Sequence, residues 1–146
     1  MPRFAANLSM LFTELDFMDR FAAAAKAGFS GVEYLFPYDY PAEEIKAQLD
    51  TNGLTQVLFN LPAGDWACGD RGIACDPERI EEFRAGVDKA ITYAKVLGNT
   101  QVNCLAGIAP KGADLGTLEA TLVENLRYAA GKREEAGIRL VMEMIN

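Results

Sequence analysis

Asp76-Pro77-Glu78, then Ile80, Phe83, Val87, Ile91, Ala94 and Leu97, then Gly98 and Gln101-Val102-Asn103, form the passage on which the fold turns. The apolar residues recur at steps of three and four, which gathers them on one face of a helix. Asp76, Pro77 and Glu78 read as N-cap, first-turn proline and an acid near the positive end of the helix dipole. Gly98 suits the left-handed residue that ends a helix, after which the chain can turn back into a strand.

The same unit recurs with other residues on both sides. Apolar runs stand at Phe4-Ala5-Ala6, Gly31-Val32, Gln56-Val57-Leu58-Phe59 and Ile138-Arg139-Leu140-Val141-Met142. Between them, Phe17, Phe21, Ala24 and Ala25 define one helical face, Ile45 and Leu49 a second, and Leu118, Leu122, Leu126 and Ala129 a third. Pro41 fits a first helical turn ahead of Glu43 and Glu44, and Gly28, Gly53 and Gly137 stand where helices end. Strands alternating with helices on short connections imply parallel pairing through right-handed crossovers. The expectation is an α/β chain of about five parallel strands and four helices, one domain over 1–146.

An open doubly wound sheet and part of a closed barrel share that pattern. The turn after the first strand, Ala6-Asn7-Leu8-Ser9-Met10-Leu11, has no glycine, which argues against a dinucleotide phosphate loop. A (β/α)₈ TIM barrel needs roughly 250 residues, so 146 residues supply its N-terminal portion only.

Composition narrows the chemistry. Net charge is −7, so a phosphate backbone would be repelled and no nucleic-acid partner is expected. There is no histidine, which removes a His-based triad or a two-His metal site within these residues. Cys68, Cys75 and Cys104 form neither a CxxC pair nor a disulfide framework and suit a reducing compartment. No stretch approaches 18 apolar residues, and Met1-Pro2-Arg3-Phe4 does not open a signal peptide. A cytoplasmic protein without a membrane partner is expected.

In parallel barrels the active site gathers at the C-terminal ends of the strands. The residues ending the five runs are Asn7, Glu33, Asn60, Asn103 and Glu143. Amides and carboxylates around one mouth suit a polyhydroxylated ligand or a divalent cation. Glu143, set in Leu140-Val141-Met142-Glu143-Met144-Ile145, reads as a buried charge that needs a partner, although an exposed strand end is the plainer alternative. Glu33 either faces the mouth or pairs with a helix residue.

The loop from Asn60 to Ala74 is long enough to be a lid or binding loop. In it Trp66 could cover a ligand or plug the barrel side. Arg71 could fork onto a carboxylate or pair with Asp70 or Asp65. Tyr34, Phe36, Tyr38 and Tyr40 alternate as an extended segment would, and are expected to pack against that loop. Cys104 is expected in the core, with nothing nearby to activate it.

Four strings closely resemble the hydroxypyruvate isomerase family, which includes 2-oxo-tetronate isomerases and falls among the xylose isomerase-like barrels. They are Asn7 to Phe12, Val32 to Tyr40, Asn60 to Trp66 continued by Gly69 to Ala74, and Thr121 to Ala129. The resemblance implies a full TIM barrel and isomerisation of a small hydroxy or keto acid by two glutamates around a divalent metal, Mg or Mn. Glu143 falls on the first glutamate and on a metal ligand; the second glutamate and the other ligands are implied in a C-terminal half outside this sequence. Met144 departs from the proline expected there. Two alternatives stand beside hydroxypyruvate isomerisation. One is action on a 2-oxo-tetronate; the other is a non-catalytic half-barrel forming a homo-oligomer through its open sheet edges.

Overall fold

The computed structural model describes residues 2–143, apart from the side chain of Arg133. Among the described residues five strands alternate with four α-helices: β1 (Ala5–Asn7), α1 (Arg20–Lys26), β2 (Gly31–Glu33), α2 (Ala42–Asn52), β3 (Thr55–Leu58), α3 (Ile80–Leu97), β4 (Gln101–Cys104), α4 (Leu115–Glu135) and β5 (Arg139–Met142). A single 3₁₀ turn, Phe17–Asp19, leads into α1. Every helix but α1 runs as the apolar spacing predicts; α1 loses its first turn to the tighter 3₁₀ form.

All strand pairs are parallel, in the orders β1-β2-β3 and β4-β5. The expected continuous sheet is therefore broken into two ladders. The gap is spanned by one parallel bridge, Asn60 to Asn103, where Leu61 N donates to Asn103 O at 2.7 Å and Asn103 N to Phe59 O at 2.9 Å. Strand order follows chain order throughout, without the reversal that marks a doubly wound sheet. Each helix packs against the next in sequence along one face of the strands. Repeated one-handed crossovers in sequential order curl a sheet toward a barrel, which settles the choice between the two α/β architectures.

The core lies between sheet and helices. Ala6, Leu8, Val32, Val102 and Cys104 leave the strands on this side and meet Phe21, Ile45, Leu49, Phe83, Val87 and Leu97. On the other face the strands approach closely. A Cβ at Gly31 would stand 3.0 Å from Val57 Cγ2 and 3.6 Å from Ala5 Cβ, so Ala5, Gly31 and Val57 form one small-residue layer. Side chains alternate along a strand, so Asn7 and Glu33, two residues on, share that inner face one layer nearer the strand ends.

Two helix-end expectations part company. Gly28, Gly53, Gly98 and Gly137 all have positive φ, as the left-handed cap requires. Asp76 does not cap α3. Its Oδ1 accepts from Glu78 N at 2.9 Å in a separate turn, and the helix opens three residues after Pro77, at Ile80. Asp76 is spent on its own local turn, and Arg79, at the helix start, turns its side chain to Asp70 and Glu82.

Candidate functional site at the strand ends

Asn7 and Glu33 are register partners at the tips of β1 and β2. Asn7 Nδ2 donates to Glu33 Oε1 at 3.0 Å, and Asn7 Oδ1 accepts from Ser9 N at 3.0 Å. Ser9 Oγ in turn accepts from Leu35 N at 2.9 Å, tying the loop after β1 to the end of β2. Glu33 therefore turns to the inner face and makes no ion pair with a helix residue among the described residues. The next pair stands at the bridge between the ladders. Asn103 Nδ2 donates to Asn60 Oδ1 at 3.0 Å, and both residues are buried. Asn103 Oδ1 is enclosed without a hydrogen-bond partner, an arrangement that usually costs about 1–3 kcal/mol. Four of the five strand-end residues thus form two hydrogen-bonded pairs.

Glu143 differs from its expectation. It follows the end of β5 and is exposed, where a buried charge was expected. Among the described residues β5 has β4 as its one neighbour, so nothing flanks its far edge to enclose the carboxylate. Asn103 pairs with Val141, and continuing the alternation would bring Glu143 to the inner face beyond Val141.

The long loop is tightly organised. Arg71 lies with its guanidinium carbon 4.0 Å from the centre of the Trp66 ring, and its Nη1 donates to Asp70 O at 2.7 Å and Trp66 O at 3.2 Å. Neither Asp65 nor Asp70 pairs with it. Asp70 is taken by Arg79, Nη1 to Oδ2 at 2.7 Å, and Arg79 also grips Glu82 with two bonds of 2.8 Å. That contact, with a second bond from Asp65 N, holds the Asp70 carboxyl below its usual range. No local spacing marks the Asp70–Arg79 tie, whose partners lie 9 positions apart; the separate Arg79–Glu82 pair alone has the i, i+3 spacing of a helix pair. A Cβ at Gly72 would stand 2.2 Å from Leu105 O, so the loop lies directly against the end of β4.

The aromatic segment is also corrected. It bends, with Tyr40 N donating to Pro37 O at 3.1 Å, so its rings separate. Phe36 alone of the four reaches Trp66, edge-on with ring centres 5.1 Å apart. Tyr34 and Tyr40 pack on Phe17, while Tyr38 meets Phe59 and Tyr93 and donates its hydroxyl to Asn60 O at 2.6 Å. Cys104 is fully enclosed, its thiol pushed up to about 12 by burial, which makes it a core residue and no nucleophile. Arg20 was not singled out by its sequence context, yet it fastens the loop after β1 by bonds to Leu8 O at 2.7 Å and Leu15 O at 2.9 Å.

A family profile described as xylose isomerase-like TIM barrel matches residues 21–146. The chain belongs to that family. It is 58% identical to hydroxypyruvate isomerase of Escherichia coli K12 and 51% identical to a 2-oxo-tetronate isomerase of Cupriavidus necator, each over all 146 residues. Those matches cover 57% and 56% of the two relatives, so the chain spans little more than half their length. The crystal structure of a protein named AP endonuclease, family 2, from Brucella melitensis superposes with a TM-score of 0.96 at 50% identity, covering the whole chain and 56% of that protein. A D-psicose 3-epimerase shares the fold at TM-score 0.70 and 16% identity.

As a metal site the described residues are incomplete: no group of three or more Cys, Asp or Glu side chains converges among them. None of their helices is long and apolar enough to cross a membrane.

Proposed function

We propose that this chain is the N-terminal part of an isomerase that interconverts hydroxypyruvate and 2-hydroxy-3-oxopropanoate in the cytoplasm. The observation that carries the reading is 58% identity to a hydroxypyruvate isomerase across every residue of the chain. The reaction moves a proton from C3 of hydroxypyruvate to C2 through an enediolate, while the hydroxyl proton passes between the two oxygens. A carboxylate beside the reacting carbons suits the carbon-bound proton, and Glu143 takes that role at one of them. Arg71 binds the substrate carboxylate. It forms no ion pair with a carboxylate among the described residues, and its guanidinium carbon lies 4.0 Å from the centre of the Trp66 ring. Asn7, Glu33, Asn60, Asn103 and Trp66 complete the wall around the ligand.

A divalent metal, Mg or Mn, would supply positive charge to the enediolate oxygens. This chain would contribute Glu143 to it, with the other ligands carried by the C-terminal portion of the longer protein.

A 2-oxo-tetronate substrate is the second reading, favoured by the 51% identity to an isomerase of that name. Arg71 would serve either acid. Phosphodiester cleavage, suggested by the name of the Brucella protein, fits poorly with a net charge of −7 and no histidine.

The test uses the chain joined to the C-terminal portion that its relatives carry, with Mg²⁺ or Mn²⁺. 2-Hydroxy-3-oxopropanoate should form from hydroxypyruvate, faster than the isomer of a 2-oxo-tetronate. A reversed preference moves the assignment to the second reading, and turnover of neither acid removes both.

A further inference from the structure

We propose that Asn7 is a positioning residue for Glu33: it holds one carboxylate oxygen of Glu33 and leaves the other as a fixed acceptor for a substrate hydroxyl. The identity of that ligand rests on the isomerase reading, whereas the Asn7–Glu33 contact rests on geometry alone.

The orientation of the Asn7 amide follows from its partners. Ser9 N is a backbone donor, and only the oxygen of the Asn7 side chain can accept from it, at 3.0 Å. That choice turns Nδ2 toward Glu33 Oε1, also at 3.0 Å, where a carboxylate oxygen is the matching acceptor. Ser9 itself is fixed from the next strand end, because Leu35 N donates to its Oγ at 2.9 Å. Leu8 N donates to Glu33 O at 2.8 Å, so the backbones on either side of the side-chain contact are joined as well. Asn7 therefore sits in a closed set of bonds between two strand tips and cannot swing away without breaking several.

Glu33 gains orientation from this arrangement and no neutralisation. Across the sheet its register neighbour on β3 is Leu58, and no basic side chain pairs with it among the described residues. Its Oε2 makes no hydrogen bond there either. The residue is half-buried on the inner face, so one carboxylate oxygen is aimed and uncommitted at the mouth. An acceptor of that kind recognises a donor, and on a hydroxy acid the available donors are its hydroxyls. A site that offers a fixed acceptor discriminates strongly against analogues lacking the hydroxyl.

Two measurements test the proposal. In the first, the side-chain amide protons of Asn7 are followed by NMR during acidification. Their signal should move as Glu33 takes up a proton, and the movement should vanish in Glu33→Gln. An Asn7 signal that ignores acid, or that moves equally in Glu33→Gln, overturns the contact. This arm needs no Asn7 variant and no activity. In the second, Asn7→Asp in the longer protein sets two carboxylates against each other near neutral pH, and only acidification lets one proton bridge them. KM for the hydroxy acid should rise about tenfold near neutral pH and recover on acidification, with kcat changed less. A KM that keeps the wild-type pH profile overturns the positioning role. Absence of isomerisation in the unaltered protein would sink the isomerase reading and leave the NMR result to decide the contact.

Discussion

The stretch from Asn60 to Arg79 holds only turns and isolated bridges, yet it is tied down along its length, whereas β5 is a regular strand with one neighbour and an exposed tip. In the loop, Ala63, Ile73 and Ala74 are buried, Asp70 is clamped by Arg79, and Gly72 touches the end of β4. At the other end, Glu143 follows a strand with good geometry and meets no described partner. Regularity of backbone and firmness of hold are separate properties. The second depends on whether buried groups find partners and whether apolar surface is covered. The loop is therefore held firmly without regular backbone, as a preformed binding loop would be and a freely swinging lid would not.

Substitutions at the two regions should separate these properties. The largest effect is expected from Glu143→Gln in the longer protein, a loss of roughly a thousandfold in kcat, or about 4 kcal/mol of barrier. Its unfolding free energy should change by less than about 0.5 kcal/mol, because an exposed side chain is altered. Retention of activity would return Glu143 to the status of a plain strand end.

Gly72→Ala should show the reverse pattern. With φ at +108° and a carbonyl oxygen 2.2 Å from the new Cβ, it should cost about 3 kcal/mol in a denaturant titration. A near-neutral result would mean that the loop yields easily, and the comparison with β5 would fail.

A smaller change is expected at Arg79→Met. Its pair with Asp70 is partly exposed, side chains 27% and 33% accessible, so screening limits the loss to about 1 kcal/mol at pH 7. The sign of the pH dependence follows from Asp70 and Glu82, whose carboxyls are both lowered by Arg79 in the folded protein. The stabilisation is complete above the unfolded values of about 4 and is lost as pH falls through the folded ones. Wild type and variant should therefore converge in stability on acidification below about pH 4.

The smallest effect is expected at Lys46→Ala, which removes an exposed i, i+4 pair with Asp50 on α2 and should cost about 0.3 kcal/mol. It marks the scale against which the loop pair can be judged.

The strand-end residues were legible in part. Asn7, Glu33, Asn60 and Asn103 each end an apolar run, and the inner-face alternation that gathers them follows from strand periodicity. Their pairing was not legible, because Asn60 and Asn103 lie 43 positions apart and meet only where two ladders join. Asp76 shows the opposite failure. Its residue type and its place before Pro77 promise a helix cap, and a competing local turn takes it instead.

By itself the sequence determined the alternation of strands and helices, the glycine stops and the set of polar residues at the strand ends. These depend on periodicity and on local backbone preference, which act within a few residues. Tertiary structure alone decided which carboxylate is held and which is bare, that Asp70 answers to Arg79, and that Arg71 lies across Trp66. Such choices depend on which groups meet across the sheet and between loops, and proximity in space is created only when the chain closes on itself.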